Sequence, residues 1–140
     1  MSGTLTAIIG AIETILTSSG FVKAADAFDF DAVPSSVIHK AYRIESRILQ
    51  NRYGLDNLSN PLEEIAIWIA YKTFRDPVAA RNTAYDDRET IESAIVTSAA
   101  IQALASSPIL ELNGEASATK LLEDILVSKL VFTADYLRTL

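Results

Sequence analysis

The sequence contains no cysteine, a single histidine and only five glycines in 140 residues. Without cysteine there is no disulfide framework, no thiolate nucleophile and no cysteine-ligated zinc site. None of the glycines belongs to a phosphate-binding loop, so the nucleotide-binding fingerprints are absent as well. We therefore expect neither enzyme activity nor a cofactor for this chain.

Long apolar runs and an excess of positive charge are also missing. The longest apolar run, residues 65–71, is much shorter than the about 20 residues that a membrane span needs. The apolar N-terminal stretch follows no Lys or Arg and is interrupted by Glu13, which argues against a signal peptide. The net charge of −6 opposes binding through nucleic-acid phosphates. These features predict a soluble intracellular protein that binds neither a membrane nor a specific nucleic-acid sequence.

The size and composition are those of one globular domain. The most common domain size is about 100–150 residues, and 49% apolar with 21% charged residues is ordinary for a folded chain. We expect residues 1–140 to form a single domain.

An amphipathic helix is predicted near the N-terminus. Thr4 is a suitable N-cap, and Gly20 lies just beyond the expected end. The apolar face contains no Lys or Arg, so the helix is expected to pack on the domain's own core and not on a membrane surface. That face comprises Leu5, Ile8, Ile9, Ile12, Ile15 and Leu16.

Two long strands are predicted next, after a short edge strand at residues 28–31. Residues 37–52 fit both helical and strand periods, and their β-branched and aromatic residues favour a strand over 40–49. The turn residues of 54–61 would join it to an antiparallel strand over 62–74. The latter is apolar on both faces, so one face would meet the helices and the other a further layer, such as another subunit.

The second half of the chain predicts a central helix. Asp76-Pro77 and the capping box of residues 86–89 are both suitable starts, and we favour a main helix over 87–105. An apolar stretch at 109–112, a turn at Asn113-Gly114 and a short helix over 117–123 would follow.

The last predicted element is a strand over 125–140 that closes the sheet. Its expected core face carries Leu126, Leu130, Phe132, Ala134 and Tyr136. The opposite, wetter face carries Lys129, Thr133 and Asp135 together with Val127 and Val131. The expected fold is thus α+β, a single small domain whose mainly antiparallel sheet packs against an N-terminal helix and one central helix.

Three residues could contribute to a chemical site. Asp29 and Asp31 form a D-x-D pattern, which in some transferases holds a divalent ion, and His39 follows two serines. If residues 37–42 are extended, neighbouring side chains point to opposite faces and no Ser-His geometry results. A small ligand-binding domain or metal-dependent enzyme that uses Asp29, Asp31 and His39 is the alternative from another functional class.

Basic residues concentrate in the middle of the chain. Residues 40–88 contain eight of the twelve bases, interleaved with seven acids. Mixed charge of this kind favours ion pairs between subunits over RNA binding. We predict cross-subunit pairs for Arg47, Arg52, Arg75 and Arg81.

The order of elements carries the most information about function. The predicted order is an amphipathic N-terminal helix, strands joined by a long turn, a central helix and a final strand that closes the sheet. Four stretches add to this pattern: Phe28-Asp29-Phe30-Asp31-Ala32-Val33-Pro34, Ala41-Tyr42-Arg43-Ile44, Ile65-Ala66-Ile67-Trp68-Ile69 and Leu130-Val131-Phe132-Thr133-Ala134-Asp135-Tyr136. In this pattern nearly the whole chain resembles the tail terminator proteins of long-tailed bacteriophages.

The resemblance implies a structural role in the virion. Such a subunit assembles in the host cytoplasm into a hexameric ring at the head-proximal end of the tail. The ring caps the tail tube protein, ends polymerisation and joins the head-completion or stopper protein, while the genome passes through its lumen. Another head-tail connector, such as a tail-completion or stopper protein, is the nearest alternative.

Overall fold

The computed structural model describes residues 4–111 and 118–139. The helices are α1 (Leu5–Ser18), α2 (Pro77–Val96) and α3 (Ala99–Gln102). The strands are β1 (Val22–Lys23), β2 (Ala41–Gln50), β3 (Leu58–Ser59), β4 (Leu62–Lys72), β5 (Leu110–Glu111), β6 (Ala118–Leu122), β7 (Ile125–Asp135) and β8 (Arg138–Thr139).

One six-stranded sheet organises the fold, in the order β1-β2-β4-β7-β5, with β6 also paired to β7. β4 pairs along its whole length with β7, and on its other side with β2, antiparallel in both cases. Only the two-residue β1 is parallel to its neighbour. β3 and β8 form a separate small sheet. This mainly antiparallel sheet, packed against helices, confirms the predicted α+β class.

The first helix forms where the apolar pattern predicts it. The Thr4 side chain accepts a hydrogen bond from the Ala7 backbone N–H at 3.2 Å and so satisfies one donor of the first turn. Beyond the last turn, Gly20 adopts a φ of 93°, a conformation that glycine tolerates best. Ile8, Ile12 and Leu16 are fully buried.

The main core lies between the helices and one face of the sheet. It joins the apolar faces of α1, α2 and α3 to Ile65, Ile67, Ile69 and Tyr71 of β4 and to the predicted core residues of β7. Each Ile or Leu buried in this way contributes about 1.5–3 kcal/mol. The helix-facing sides of β4 and β7 are therefore as predicted.

The opposite face of the sheet holds a second core, which corrects the prediction of a wet face on β7. Val127 and Val131 are fully buried there beside Trp68. Phe28 and Val37, from the loop between β1 and β2, close over these residues. The second layer predicted for β4 is thus supplied, at this place, by the chain's own loop.

Several element boundaries differ from the predictions. α2 begins at Pro77, with Asp76 as its N-cap, and ends at Val96, because Ser98 caps the separate α3. Its first three turns bury only Ala80 and Ala84, too small an apolar stripe to read from sequence.

Three predicted elements near the ends of the sheet are also corrected. Residues 28–31 form a turn and not a strand. Residues 118–122 form strand β6 and not a helix. β7 ends at Asp135, and β8 then pairs with β3. The predicted turn at Asn113-Gly114 lies outside the described residues.

Candidate interaction surfaces

The two aspartates of the D-x-D pattern have separate structural tasks. The Asp29 side chain accepts hydrogen bonds from the backbone N–H groups of Asp31 and Ala32, at 2.9 and 2.8 Å, and closes a local turn. Asp31 forms an ion pair with Lys120 of β6 at 2.6 Å. Within the described residues, no three His, Asp or Glu side chains are grouped so that they could hold a metal ion.

His39 lies just before β2 and links it to the end of β4. Its Nδ1 accepts a hydrogen bond from the Lys72 backbone N–H at 3.0 Å. Its ring meets the rings of Tyr71 and Phe74 edge-on, with centroids 6.1 and 5.1 Å apart. Burial, reinforced by the nearby Lys40, lowers the His39 pKa. Its ring therefore serves in the structure as a neutral acceptor between strands.

Two of the predicted interface arginines already have partners inside the chain. Arg47 makes a two-pronged pair with Glu64 of the adjacent β4, with both N···O distances at 3.2 Å. Its side chain remains 72% exposed, so this surface pair leaves room for a further partner.

Arg52 belongs to a more buried network. Its Nη2 lies 2.9 Å from the carboxylate of Asp135, a residue that is only 5% exposed. Its Nε donates a hydrogen bond to the backbone carbonyl of Asn60. Asp135 also accepts hydrogen bonds from the backbone N–H and the hydroxyl of Ser107, at 2.8 and 3.1 Å. The network ties three distant segments of the chain together, so Arg52 has partners within the chain, while its side chain stays 39% exposed.

Arg75 lies just before α2 and Arg81 lies in its second turn, and both are exposed. Neither forms an ion pair with any residue in the described parts of the chain. Of the four predicted arginines, these two are the ones that make no ion pair within residues 4–111 and 118–139.

One end of the sheet, where β4 ends and β2 begins, contains a cleft; we call this the upper end. The cleft has a volume of about 1090 Å³ and lies between three loops, at residues 31–35, 72–75 and 121–125. Asp31 lines it, whereas Asp29 and His39 do not. The three residues of the alternative enzyme prediction are therefore not assembled around one cavity.

Exposed apolar side chains lie near this upper end of the sheet, and one of them, Phe74, lines the cleft. Phe74 is 71% exposed, and Val78, in the first turn of α2, and Ile38, beside His39, are more than half exposed. Phe74 and Arg75 both adopt positive φ, at 48° and 66°, in a turn that glycine or asparagine would fit better. Unfavourable backbone that holds an aromatic ring in water is typical of a functional contact.

The other end of the sheet, where β2 ends and β4 begins, is the lower end. Tyr53 bridges to Ser59 of β3, which in turn pairs with Arg138 of β8. The turn beyond Tyr53 carries Leu55, which is 87% exposed, and Leu137 precedes β8 at 45%. The lower end therefore presents a second exposed apolar patch.

The outer edge of β2 is a third surface. β1 pairs with only its first two residues, Ala41 and Tyr42. In the described parts of the chain, no strand pairs with the rest of this edge. A strand with free backbone donors and acceptors is a template for another chain.

These surfaces could not be recognised from the residue pattern alone. Leu55 and Phe74 looked like ordinary members of a turn and of a strand end, and only the fold shows that both point into solvent. The one available signal was a large apolar residue inside turn chemistry, as at Leu55 within 54–61.

No family model matches the chain, and no curated protein shows significant similarity to it. The resemblance to tail terminators thus rests on the pattern of the residues. Among residues 4–111 and 118–139, no helix is both long and apolar enough to cross a membrane.

Proposed function

We propose that this protein is a structural subunit of a phage neck, a tail terminator that assembles as a hexameric ring on the tail tube. The observation that carries the proposal is the pair of exposed apolar patches at opposite ends of one sheet. β4 spans 11 residues, so the two ends lie about 35 Å apart. A ring subunit that joins a tube on one side to a connector on the other needs two such contact regions.

The chemistry of the patches supports protein contacts. Each contains an exposed aromatic residue, Phe74 at the upper end and Tyr53 at the lower end, among aliphatic side chains. Aromatic residues are enriched in protein interfaces, and charged residues surround these patches as a polar rim does. Arg75 lines the upper cleft, where its exposed charge suits a neighbouring acidic group.

A terminator acts by covering the last layer of a growing polymer. The top of a tube is a heterologous surface that adds layers without limit unless something covers it. The ring would occupy that surface with one end of each subunit and offer the other end to the head. In this scheme the protein performs no chemistry.

Electron microscopy of a lysate from phage lacking this protein tests the proposal. We expect filled heads and unattached tails of irregular, excessive length. Tails of normal length that fail to attach would instead identify a connector or stopper, and normal virions would exclude a role in assembly.

Surface variants sharpen this test. Complementation with Tyr53→Ser/Leu55→Ser alters the lower end, and Phe74→Ser/Val78→Ser alters the upper end. We expect one variant to give overlong tails and the other to give tails of normal length without heads. Tyr85→Ser is the matched control, because Tyr85 is an exposed aromatic on α2 that belongs to neither patch. Identical phenotypes for the two ends would contradict the two-ended arrangement.

A further inference from the structure

The free edge of β2 has two natural limits. At one end β1 covers Ala41 and Tyr42, and the Ala24 backbone N–H donates to the Tyr42 carbonyl. At the other end a register shift between Ile48 and Gln50 bends the strand away from regular pairing. Between these limits, residues 44–48 keep a regular register with β4, and no strand in the described parts of the chain pairs with their outer side.

The direction of the backbone groups follows from the same contacts. In an antiparallel strand the N–H and C=O of one residue point to the same side, and the side alternates along the chain. The Tyr42 carbonyl points outward, toward β1. Ile44, Ser46 and Ile48 therefore direct their backbone groups outward, whereas Glu45 and Arg47 direct theirs toward β4.

The side chains of this segment are arranged symmetrically about Ser46. Ile44 and Ile48 lie two positions to either side of Ser46, on the helix-facing side of the sheet. Glu45 and Arg47 lie one position to either side, on the opposite face, with opposite charges. When two copies of the sequence Ile-Glu-Ser-Arg-Ile are aligned antiparallel about Ser46, each isoleucine therefore faces an isoleucine and each glutamate faces an arginine.

We propose that the β2 edge binds a second copy of this chain, antiparallel and with a two-fold axis through Ser46. In this pairing Ile44 of each copy faces Ile48 of the other, and Glu45 of each copy faces Arg47 of the other. All outward backbone groups of the segment gain partners. The two sheets join into one continuous sheet, an isologous contact that closes after two copies.

Charge and exposure favour a second copy over an unrelated strand. Glu45 is 55% exposed beside Arg43, and Arg47 keeps most of its side chain in solvent beside Glu64. In the dimer each Arg47 would therefore lie between two carboxylates. Ile48 is half exposed in the single subunit and would gain an apolar neighbour. The window between β1 and the bulge fits an identical segment in reverse, because its limits are equally distant from Ser46.

This dimer does not rest on the proposed function. It occupies the β2 edge and leaves both apolar ends of the sheet free. Because the paired strands are antiparallel, the upper ends of the two copies point in opposite directions, so the dimer is a state of the free subunit that dissociates before a ring with all upper ends on one side forms. Its test measures self-association of the purified chain, whereas the neck role is tested by tail length. Either proposal can therefore fail while the other stands.

Sedimentation equilibrium on the full chain, with charge-swap variants, tests the pairing. We expect a monomer–dimer equilibrium for the wild type. Glu45→Arg brings arginines together at both symmetry-related contacts and should raise the dissociation constant by about tenfold or more. The double variant Glu45→Arg/Arg47→Glu should restore dimerisation, because the opposite charges face each other again across the axis.

The double variant also controls for the loss of ion pairs within the subunit as the cause of weaker dimerisation. It loses the Arg47–Glu64 pair and the Arg43–Glu45 pair within the subunit, so rescue cannot come from those contacts. Failure of the folded double variant to recover, or a wild type that stays monomeric at every concentration, would overturn the proposal.

Ser46→Pro provides a second, independent measurement. Proline at this position removes an N–H that points outward and that has no backbone partner among the described residues of the single subunit. We expect the dimer to be lost while the circular dichroism spectrum is retained. In the wild type, hydrogen exchange at Ile44, Ser46 and Ile48 should slow as concentration rises. A dimer whose exchange at these amides is unchanged must use another surface and would refute the assignment.

Discussion

Replacing Phe132 by alanine tests the assignment of faces on β7. Phe132 is fully buried in the main core and stands opposite Ile65 of β4. Truncating a buried phenylalanine typically costs about 3–5 kcal/mol, since apolar contact is lost and a cavity remains. Against a total stability of about 5–15 kcal/mol, this is a large fraction.

The cost converts into a measurable melting shift. Unfolding entropy of about 2.1 cal/mol/K per residue gives about 0.3 kcal/mol/K for 140 residues. The Phe132→Ala variant should then melt about 10–17 °C below the wild type in calorimetry. A variant that is largely unfolded at room temperature would agree with the same reasoning.

Thr133→Ala is the matched control on the neighbouring residue. Thr133 points to the opposite face and is only half buried, so its truncation should cost less than about 1 kcal/mol. The expected melting shift is below about 3 °C. If both variants melted at the same temperature, the assignment of the β7 faces would be wrong.

Two further predictions concern buried charge. Arg52→Met leaves the Asp135 carboxylate without its cation, and we expect a loss of about 1–3 kcal/mol in urea unfolding. Arg47→Met, at an exposed pair, should change stability by less than about 1 kcal/mol, and equal losses would contradict the special role of the Asp135 network. Burial raises the pKa of the Glu63 carboxyl from its usual value, and the nearby Arg138 partly opposes this shift. The folded state therefore binds the Glu63 proton more tightly than the unfolded state does. The free energy of unfolding should fall as pH rises from the usual pKa of a glutamate through the raised pKa of Glu63. The Glu63→Gln variant should show a weaker dependence of stability on pH and should be more stable than the wild type at neutral pH. If urea unfolding at neutral pH shows no gain in stability for this variant, the destabilising role of the Glu63 charge is wrong.

Local sequence pattern was sufficient for the elements with strong periodicity. α1 could be predicted because its apolar residues recur at helical spacing between a good N-cap and Gly20. The strands β2 and β4 could be predicted because turn chemistry separates two segments rich in β-branched residues. Their antiparallel pairing follows from the short connection between them.

The second core could not be predicted, because its members are distant in sequence. Phe28 and Val37 lie in a loop without regular structure, and nothing local shows that they cover Val127 and Val131. A strand that is apolar on both faces indicates only that something covers it. The identity of the cover is set by tertiary packing.

The same limit applies to the interaction surfaces. Arg52 is predicted to pair across subunits, and the sequence gives no sign of its carboxylate partner within the chain, Asp135, which lies 83 positions away. The symmetric pattern around Ser46 is visible in the sequence, yet it has meaning only once β2 is known to be an edge strand. Charge and apolarity could be read from sequence, whereas their availability to a partner required the topology.

The position of β7 has a consequence for the order in which the protein can fold during synthesis. β7 lies inside the sheet, between β4 on one side and β5 and β6 on the other, but the ribosome makes it after all three. Until then one long side of β4, the most apolar strand, has no neighbour and is prone to aggregation. The hairpin of β2 and β4 can form early, but the sheet is completed only when β7 has emerged. Subunits can therefore assemble only after translation has passed β7, and demand for chaperones should be highest just before that point.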